Sequence, residues 1–344
     1  MRASFAALLL LLGITAAPPP ASAAADRLVI LNKSDDTATI VEADGGKAIA
    51  TIPVGHGPHE VAVLSDGRIA AVSDYGDREK PGRTITLLDV EKAVKIGTVE
   101  LPSGARPHGL APLSDGRLLV TAEGLKELLV VDPKARRVEQ RIPTFQDVSH
   151  MVVTTPDGAR AFVANIGSGS VTVVEGRRVI RQIPTGKGAE GIAITPDGRQ
   201  VWVANRDADT LSVIDARSLE IAGEIPAAAF PIRLKITPDG KRALVSCARS
   251  GDVAVFDVAT RQPVGRIAIA AAPVPENAEK TARIFSGMTE SPAPVGLLVA
   301  PDGRRAWVAA TNADLVAALD LERLAVVGRL VAGREPDGLA GTFR

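Results

Sequence analysis

A single cysteine, Cys247, stands in 344 residues. No intrachain disulfide can form, so core burial must supply the stability. Aromatic residues are only 3% of the chain, and 40 Lys and Arg cancel 40 Asp and Glu. Binding a phosphate backbone calls for a basic stripe, and holding unstacked bases calls for aromatic platforms. Neither is present, which argues against nucleic acid as a partner. Beyond the N-terminus no apolar run is long enough to cross a bilayer as a helix, so no membrane span is expected.

The apolar run that does exist lies at the start. Arg2 precedes Phe5–Leu12, then come Pro18-Pro19-Pro20 and the small residues Ala21-Ser22-Ala23. This has the form of a cleavable signal peptide over residues 1–25, too short in its apolar part to anchor the protein. It predicts a periplasmic or secreted protein whose folded domain is residues 26–344.

Between a short apolar run and a second, β-branched run, a Pro/Ser-Asp-Gly turn recurs six times, at Asp66, Asp115, Asp157, Asp197, Asp239 and Asp302, with spacings of 49, 42, 40, 42 and 63 residues. A period near 40 marks a repeat architecture. Its clearest unit runs from Glu190 to Pro226. Gly191–Ile194 reads as a short strand, and Thr195-Pro196-Asp197-Gly198 turns it back. Gln200–Ala204, Leu211–Asp215 and Ile221–Ile225 follow as three more strands. Four antiparallel strands per repeat describe a propeller blade.

Phe162-Val163-Ala164-Asn165 and Trp307-Val308-Ala309-Ala310 repeat Trp202-Val203-Ala204-Asn205, and Val130-Val131-Asp132 and Val255-Phe256-Asp257 repeat Val213-Ile214-Asp215. These units resemble the YVTN repeats of YncE-like exported β-propellers, and the likeness runs through essentially all of residues 26–344. It implies an all-β, seven-bladed propeller of four-stranded blades. The first repeat, Leu28–Gly55, lacks an inner strand, while Glu335–Ala340 repeats the blade opening Gly188–Ala193. The C-terminal strand is therefore expected to join the N-terminal blade and close the ring, protecting its edges.

Register then aligns equivalent positions. The opening of the inner strand carries His59, His108, His150, Glu190, Ile232, Val295 and, from the tail, Asp337. Counting seven residues past each turn glycine ends the second strand at Asp74, Glu123, Asn165, Asn205, Cys247 and Ala310, with Asn32 in the first repeat. Both sets fall on one rim. Two insertions share it, Tyr75–Arg83 and roughly Ala270–Pro292, and loops longer than the repeat demands commonly carry function.

Three chemistries fit that rim. His59, His108 and His150 on consecutive blades could hold a divalent metal, Zn²⁺ or Cu²⁺, with an open position. Seven-bladed lactonases have a similar fold, and Gly104-Ala105-Arg106-Pro107-His108-Gly109 loosely resembles their blade openings. That likeness implies His108 or Glu123 as general acid or base, with Arg106, Arg206 and Arg233 neutralising an acidic substrate. The chain departs from the lactonases in its regular repeat, and it carries no tryptophan docking pattern for a quinone cofactor. The third reading, to which the sequence leads, is a binding or accessory propeller without chemistry of its own. It would take a protein or small molecule in a funnel formed by His59, His108, His150, Glu123, Glu190, Asp337 and Arg106.

Other signals have structural readings. Asn205-x-Asp207-x-Asp209 lacks the Gly and Glu of a calcium loop. Strand alternation sends His59 and Glu60 to opposite faces, which excludes a zincin-type pair with His56. Trp202, Trp307 and Phe162 read as core, Cys247 as a small apolar filler, and Glu42, Asp89, Asp132, Glu175, Asp215, Asp257 and Asp320 as turn-initiating residues on the opposite face.

Overall fold

The computed structural model describes residues 25–269, Phe285, Gly287, Met288 and 290–344. Residues 1–24, nearly all of the signal peptide expected over 1–25, and most of the second insertion (270–284, 286 and 289, with Pro273, Pro275, Glu276, Glu279, Lys280 and Arg283) lie outside the described residues. Seven four-stranded antiparallel sheets stand around one axis as blades 1–7. Among the described residues, no helix is long and apolar enough to cross a membrane.

Blade 1 is built from both ends of the chain. Its inner strand is Pro336–Thr342, which pairs antiparallel with Arg27–Asn32, Arg27 lying opposite Thr342 and Asn32 opposite Pro336. Closure by the C-terminal strand is thus observed. The other inner strands are Pro58–Val63, Pro107–Pro112, Ser149–Thr154, Ala189–Ile194, Pro231–Ile236 and Pro294–Val299.

Strand alternation sends one face of each blade against the next, so the core lies between blades. Trp202 packs with Leu234, Val245 and Phe256 between blades 5 and 6, and Trp307 with Leu28, Ile30 and Leu339 between blades 7 and 1. Phe162 sits between blades 4 and 5. Each such side chain contributes roughly 1.5–3 kcal/mol by leaving water. Cys247 is buried in the same way, and burial pushes its thiol up to about 12. The acidic series ends the third strands as expected; Asp132, Asp215 and Asp257, for example, accept backbone N–H groups of the following turn.

Inside the blades one polar device recurs. Asn32, Asn165 and Asn205 close the second strand, and each Nδ2 donates to hydroxyls on the third: Thr37 and Thr39, Ser170 and Thr172, Thr210 and Ser212. Asn32 Oδ1 also accepts the Gly333 amide at 2.8 Å. Blade 2 has Asp74 at this place. Its carboxylate accepts from Thr84, Thr86 and the Gly55 amide at 2.6, 2.8 and 2.9 Å. Burial nevertheless outweighs those bonds and raises its pKa to about 6.

A carboxyl whose folded pKa is raised costs nothing below its unfolded pKa and destabilises as pH rises through the folded one. Asp74→Asn can make every bond that Asn32 makes. It should stabilise the protein at pH 7.5 by up to about 3 kcal/mol and give no gain near pH 4. Thermal melts at the two pH values check this; equal gains at both would contradict a strained carboxylate.

Candidate functional site

Each inner strand is preceded by a left-handed residue: Gly57, Arg106, Val148, Gly188, Phe230, Ala293 or Glu335, with φ between 46° and 73°. The carbonyl of each accepts the amide of the residue that follows the Asn place of the second strand, namely Tyr75, Glu123, Ile166, Arg206, Ala248, Thr311 and Lys33, at 3.0–3.2 Å. This sevenfold clamp defines the rim. It also fixes two rings of side chains that face the axis.

The first ring is the second residue of every inner strand: His59, His108, His150, Glu190, Ile232, Val295 and Asp337. This is the set expected from register. The second ring corrects the sequence reading by one residue. Asp74, Asn165, Asn205 and Asn32 turn into their own blades, and it is their successors Tyr75, Ile166, Arg206 and Lys33 that reach the funnel. Glu123 does belong to the funnel, for a local reason. Its blade turns back with a Leu113-to-Arg117 hydrogen bond, one residue tighter than the Leu64-to-Ile69 bond of blade 2. Ala122 therefore takes the Asn place opposite Pro107, and Glu123 slides onto the axis side. Sequence counting missed Lys33 and held Tyr75 only as the start of an insertion; strict alternation also turned Glu60 away from His59, whereas the register shift between Pro58 and Val61 brings both toward the axis.

These side chains surround a cavity of about 560 Å³. Its polar half belongs to blades 1–5. His150 sits at the centre, with Nδ1 against Glu123 Oε1 and Nε2 3.2 Å from Glu190 Oε1. Both ring nitrogens face carboxylates, and the ring satisfies both only as an imidazolium. Burial disfavours that charge, yet Glu123 and Glu190 outweigh burial and raise the pKa of His150. Glu190 is a hub. Arg206 donates to it at 2.5 Å and Arg233 at 2.6 Å. Burial would raise its pKa, but His150, Arg206 and Arg233 hold it far below the carboxylate range.

Arg233, from blade 6, also reaches across the axis to Glu60 of blade 2 at 2.8 Å. It lines both the funnel and a second chamber of about 260 Å³ on the other side, so this pair forms the funnel floor. Toward blade 1, Lys33 Nζ lies 3.4 Å from His59 Nδ1 and 3.7 Å from Asp337 Oδ2. Burial lowers the pKa of Lys33 and raises that of Asp337. Tyr75 donates to Glu123 Oε2 at 2.7 Å, and the Arg106 guanidinium lies 4.2 Å above its ring.

Burial, then the surrounding cations, push the pKa of His59 and His108 well below the imidazole range. The neutral His108 ring lies 3.5 Å from that of His150, tilted by 30°. Both its nitrogens are buried without a partner among the described residues. The three imidazoles do form a row, but they do not form one ligand set. The donor atoms that converge, each within 4.8 Å of the others, belong to His108, Glu123 and His150. His59 Nδ1 faces Asp337, 3.3 Å away. The other half of the rim is apolar: Ile232, Ala248 and Val295 pack with Phe230, Phe285 and Met288, the last two from the second insertion.

Residues 119–283 match the family model of YNCE-like beta-propellers. No curated protein matches the chain. Among solved structures the fold is similar to hydrazine synthase of Kuenenia stuttgartiensis, with TM-score 0.68 and 19% identity over 82% of this chain and 88% of that one. The periplasmic gluconolactonase PpgL of Pseudomonas aeruginosa gives TM-score 0.70 and 17% identity over 92% and 99%. Dihydro-heme d1 dehydrogenase NirN, solved in complex with DHE, gives 0.62 and 19% over 92% of this chain and 66% of that one. At such identities the likeness is one of fold.

The proton distribution can be tested directly. By NMR of the imidazole ring signals, His150 should titrate above the ordinary 6.5, and His59 and His108 should stay neutral well below it. Glu190→Gln should bring the His150 pKa down. Because the folded pKa of His150 is raised, its contribution to stability is present below pH 6.5 and fades as pH climbs through the folded value. Three histidines titrating alike would contradict the network.

Proposed function

We propose that this YNCE-like seven-bladed propeller is a binding protein that takes a small carboxylate with an apolar body into its axial funnel. Export through the leader at 1–25 is part of the proposal, and fractionation of producing cells checks it. The observation that carries the reading is Arg106. Its Nε is buried without a partner, and no carboxylate pairs with its guanidinium among the described residues. The other funnel arginines are paired with carboxylates: Arg206 with Glu190, although its Nε likewise lacks a hydrogen-bond partner, and Arg233 with Glu190 and Glu60. An unpaired buried guanidinium donor is costly unless something supplies the acceptor. A planar carboxylate matches its fork of donors, and the apolar arc around Ile232, Val295 and Phe285 suits the rest of such a molecule.

His108 favours a second reading. A neutral imidazole with free nitrogens is the state of a general base, and hydrolysis of a lactone would deliver an acid into the same funnel. The gluconolactonase fold is compatible with that chemistry.

One panel tests both readings. Aromatic and short-chain carboxylates should raise the melting temperature, since a ligand at a hundredfold of its Kd adds about 2.7 kcal/mol. Arg106→Ala should abolish the shift while leaving the unliganded melt unchanged. Neutral amides should do nothing, and sugar phosphates serve as the competing anion class. Lactones in the same panel should release acid only if the hydrolytic reading holds, and His108→Ala should then stop it. No shift with any carboxylate, or a shift that survives Arg106→Ala, overturns the binding proposal.

A further inference from the structure

The bare imidazole of His108 stands beside two groups whose chemistry complements it. We propose that His108, His150 and Glu123 form a three-ligand site for a divalent transition ion of the zinc class, open toward the funnel. Two imidazoles and one carboxylate are a zinc-type donor set that leaves a position free for water or ligand. One donor atom from each lies within 4.8 Å of the other two. Tetrahedral zinc spaces its donors about 3.3 Å apart, so side-chain rotation has to draw the farther donors in by about 1.5 Å at most and open the hydrogen-bonded Glu123–His150 pair, the ion taking the place of the proton between them.

Three further observations support the assignment. His108 is 1% exposed and has no hydrogen-bond partner for either nitrogen among the described residues, whereas buried imidazoles ordinarily find one. Glu123 is on the axis only because its blade turns back one residue early, a shortening that no other Asp-Gly turn in the chain shares. The outer partners of a metal site are also in place. Tyr75 donates to the second oxygen of Glu123 at 2.7 Å, and Glu190 faces the far nitrogen of His150 at 3.2 Å. Glu123 and His150 would thus each be oriented by a neighbour that does not touch the ion. His59 lies outside the set because Asp337 and Lys33 occupy its Nδ1 side.

The order of affinities among divalent ions makes Cu²⁺ the strongest competitor, so the probe is Zn²⁺ alone. His56 could also take up the ion, since its ring nitrogens meet Asp36 and Asp77 at 2.9 and 2.8 Å on the open rim. All measurements are therefore made in a His56→Ala background. Calorimetric titration of the metal-stripped protein with Zn²⁺ should show one equivalent bound. His108→Ala and Glu123→Ala should each weaken binding at least a hundredfold, and His59→Ala less than threefold. Circular dichroism melts of each variant without metal confirm the fold, and Zn²⁺ should raise the melting temperature of the parent and of His59→Ala only.

Absence of binding by the parent overturns the site. So does a loss in His59→Ala matching that in His108→Ala, or tight binding that survives Glu123→Ala. Acid binding through Arg106 is read separately. Arg106→Ala should leave the zinc stoichiometry at one, so either proposal can fail without the other.

Discussion

Seven strands meeting at one axis leave almost no room, and this crowding organises the centre of the molecule. At the third residue of the inner strand, blades 1, 3, 5 and 7 carry Gly338, Gly109, Gly191 and Gly296. A Cβ on any of them would come within 2.0–2.8 Å of a backbone carbonyl in the next blade. Blades 2, 4 and 6 carry Glu60, Met151 and Arg233 there. Large and absent side chains alternate from blade 1 to blade 7, with two glycines in succession where blades 7 and 1 meet, and the three that exist are driven toward the axis. Two of them are charges of opposite sign that pair across it. That pair is the floor on which the rest of the funnel stands.

A buried pair is stable only if its leftover polar atoms are satisfied. Arg233 reaches Glu60 and Glu190, Glu190 reaches Arg206 and His150, and His150 reaches Glu123, which accepts from Tyr75. The chain of contacts runs through blades 2, 6, 5, 4 and 3. Each link sets the charge of the next. Glu190 is held ionised by three cations, His150 charged by two carboxylates, and the neighbouring His108 neutral by burial and by the charge on His150. One proton is therefore placed on one of three adjacent imidazoles by geometry rather than by their chemistry, which is identical.

Fold and register were legible in the sequence because the repeat encodes them twice, in the Asp-Gly turns and in the Asn that ties the second strand to the third. The ring from His59 to Asp337 follows from that register alone. The second ring did not, because successive residues of a strand point to opposite sides and an offset of one reverses the reading. Asp74 looked like a rim carboxylate and is a blade-internal one, while Tyr75 beside it reaches the axis. Glu123 was found by a count that ignored its shortened turn, and the two deviations cancelled. Lys33 could not be placed, since the contacts that define it join blade 1 to the tail, and Glu60 was turned the wrong way because strict alternation does not survive the register shift between Pro58 and Val61.

The left-handed residues at the rim separate what the fold requires from what the site uses. All seven blades need this conformation to offer a carbonyl to the next strand, and only Gly57 and Gly188 adopt it without strain. At the other five positions a side chain is kept at a cost of roughly 1–2 kcal/mol each. Glycine would serve the clamp equally well at Arg106, so the clamp does not explain the arginine. What remains to explain it is the funnel, where its guanidinium stacks on Tyr75 and its Nε waits for an acceptor. In a sevenfold repeat the blades serve as controls for one another. The site is found where a residue carries more than the clamp it shares with the other six requires.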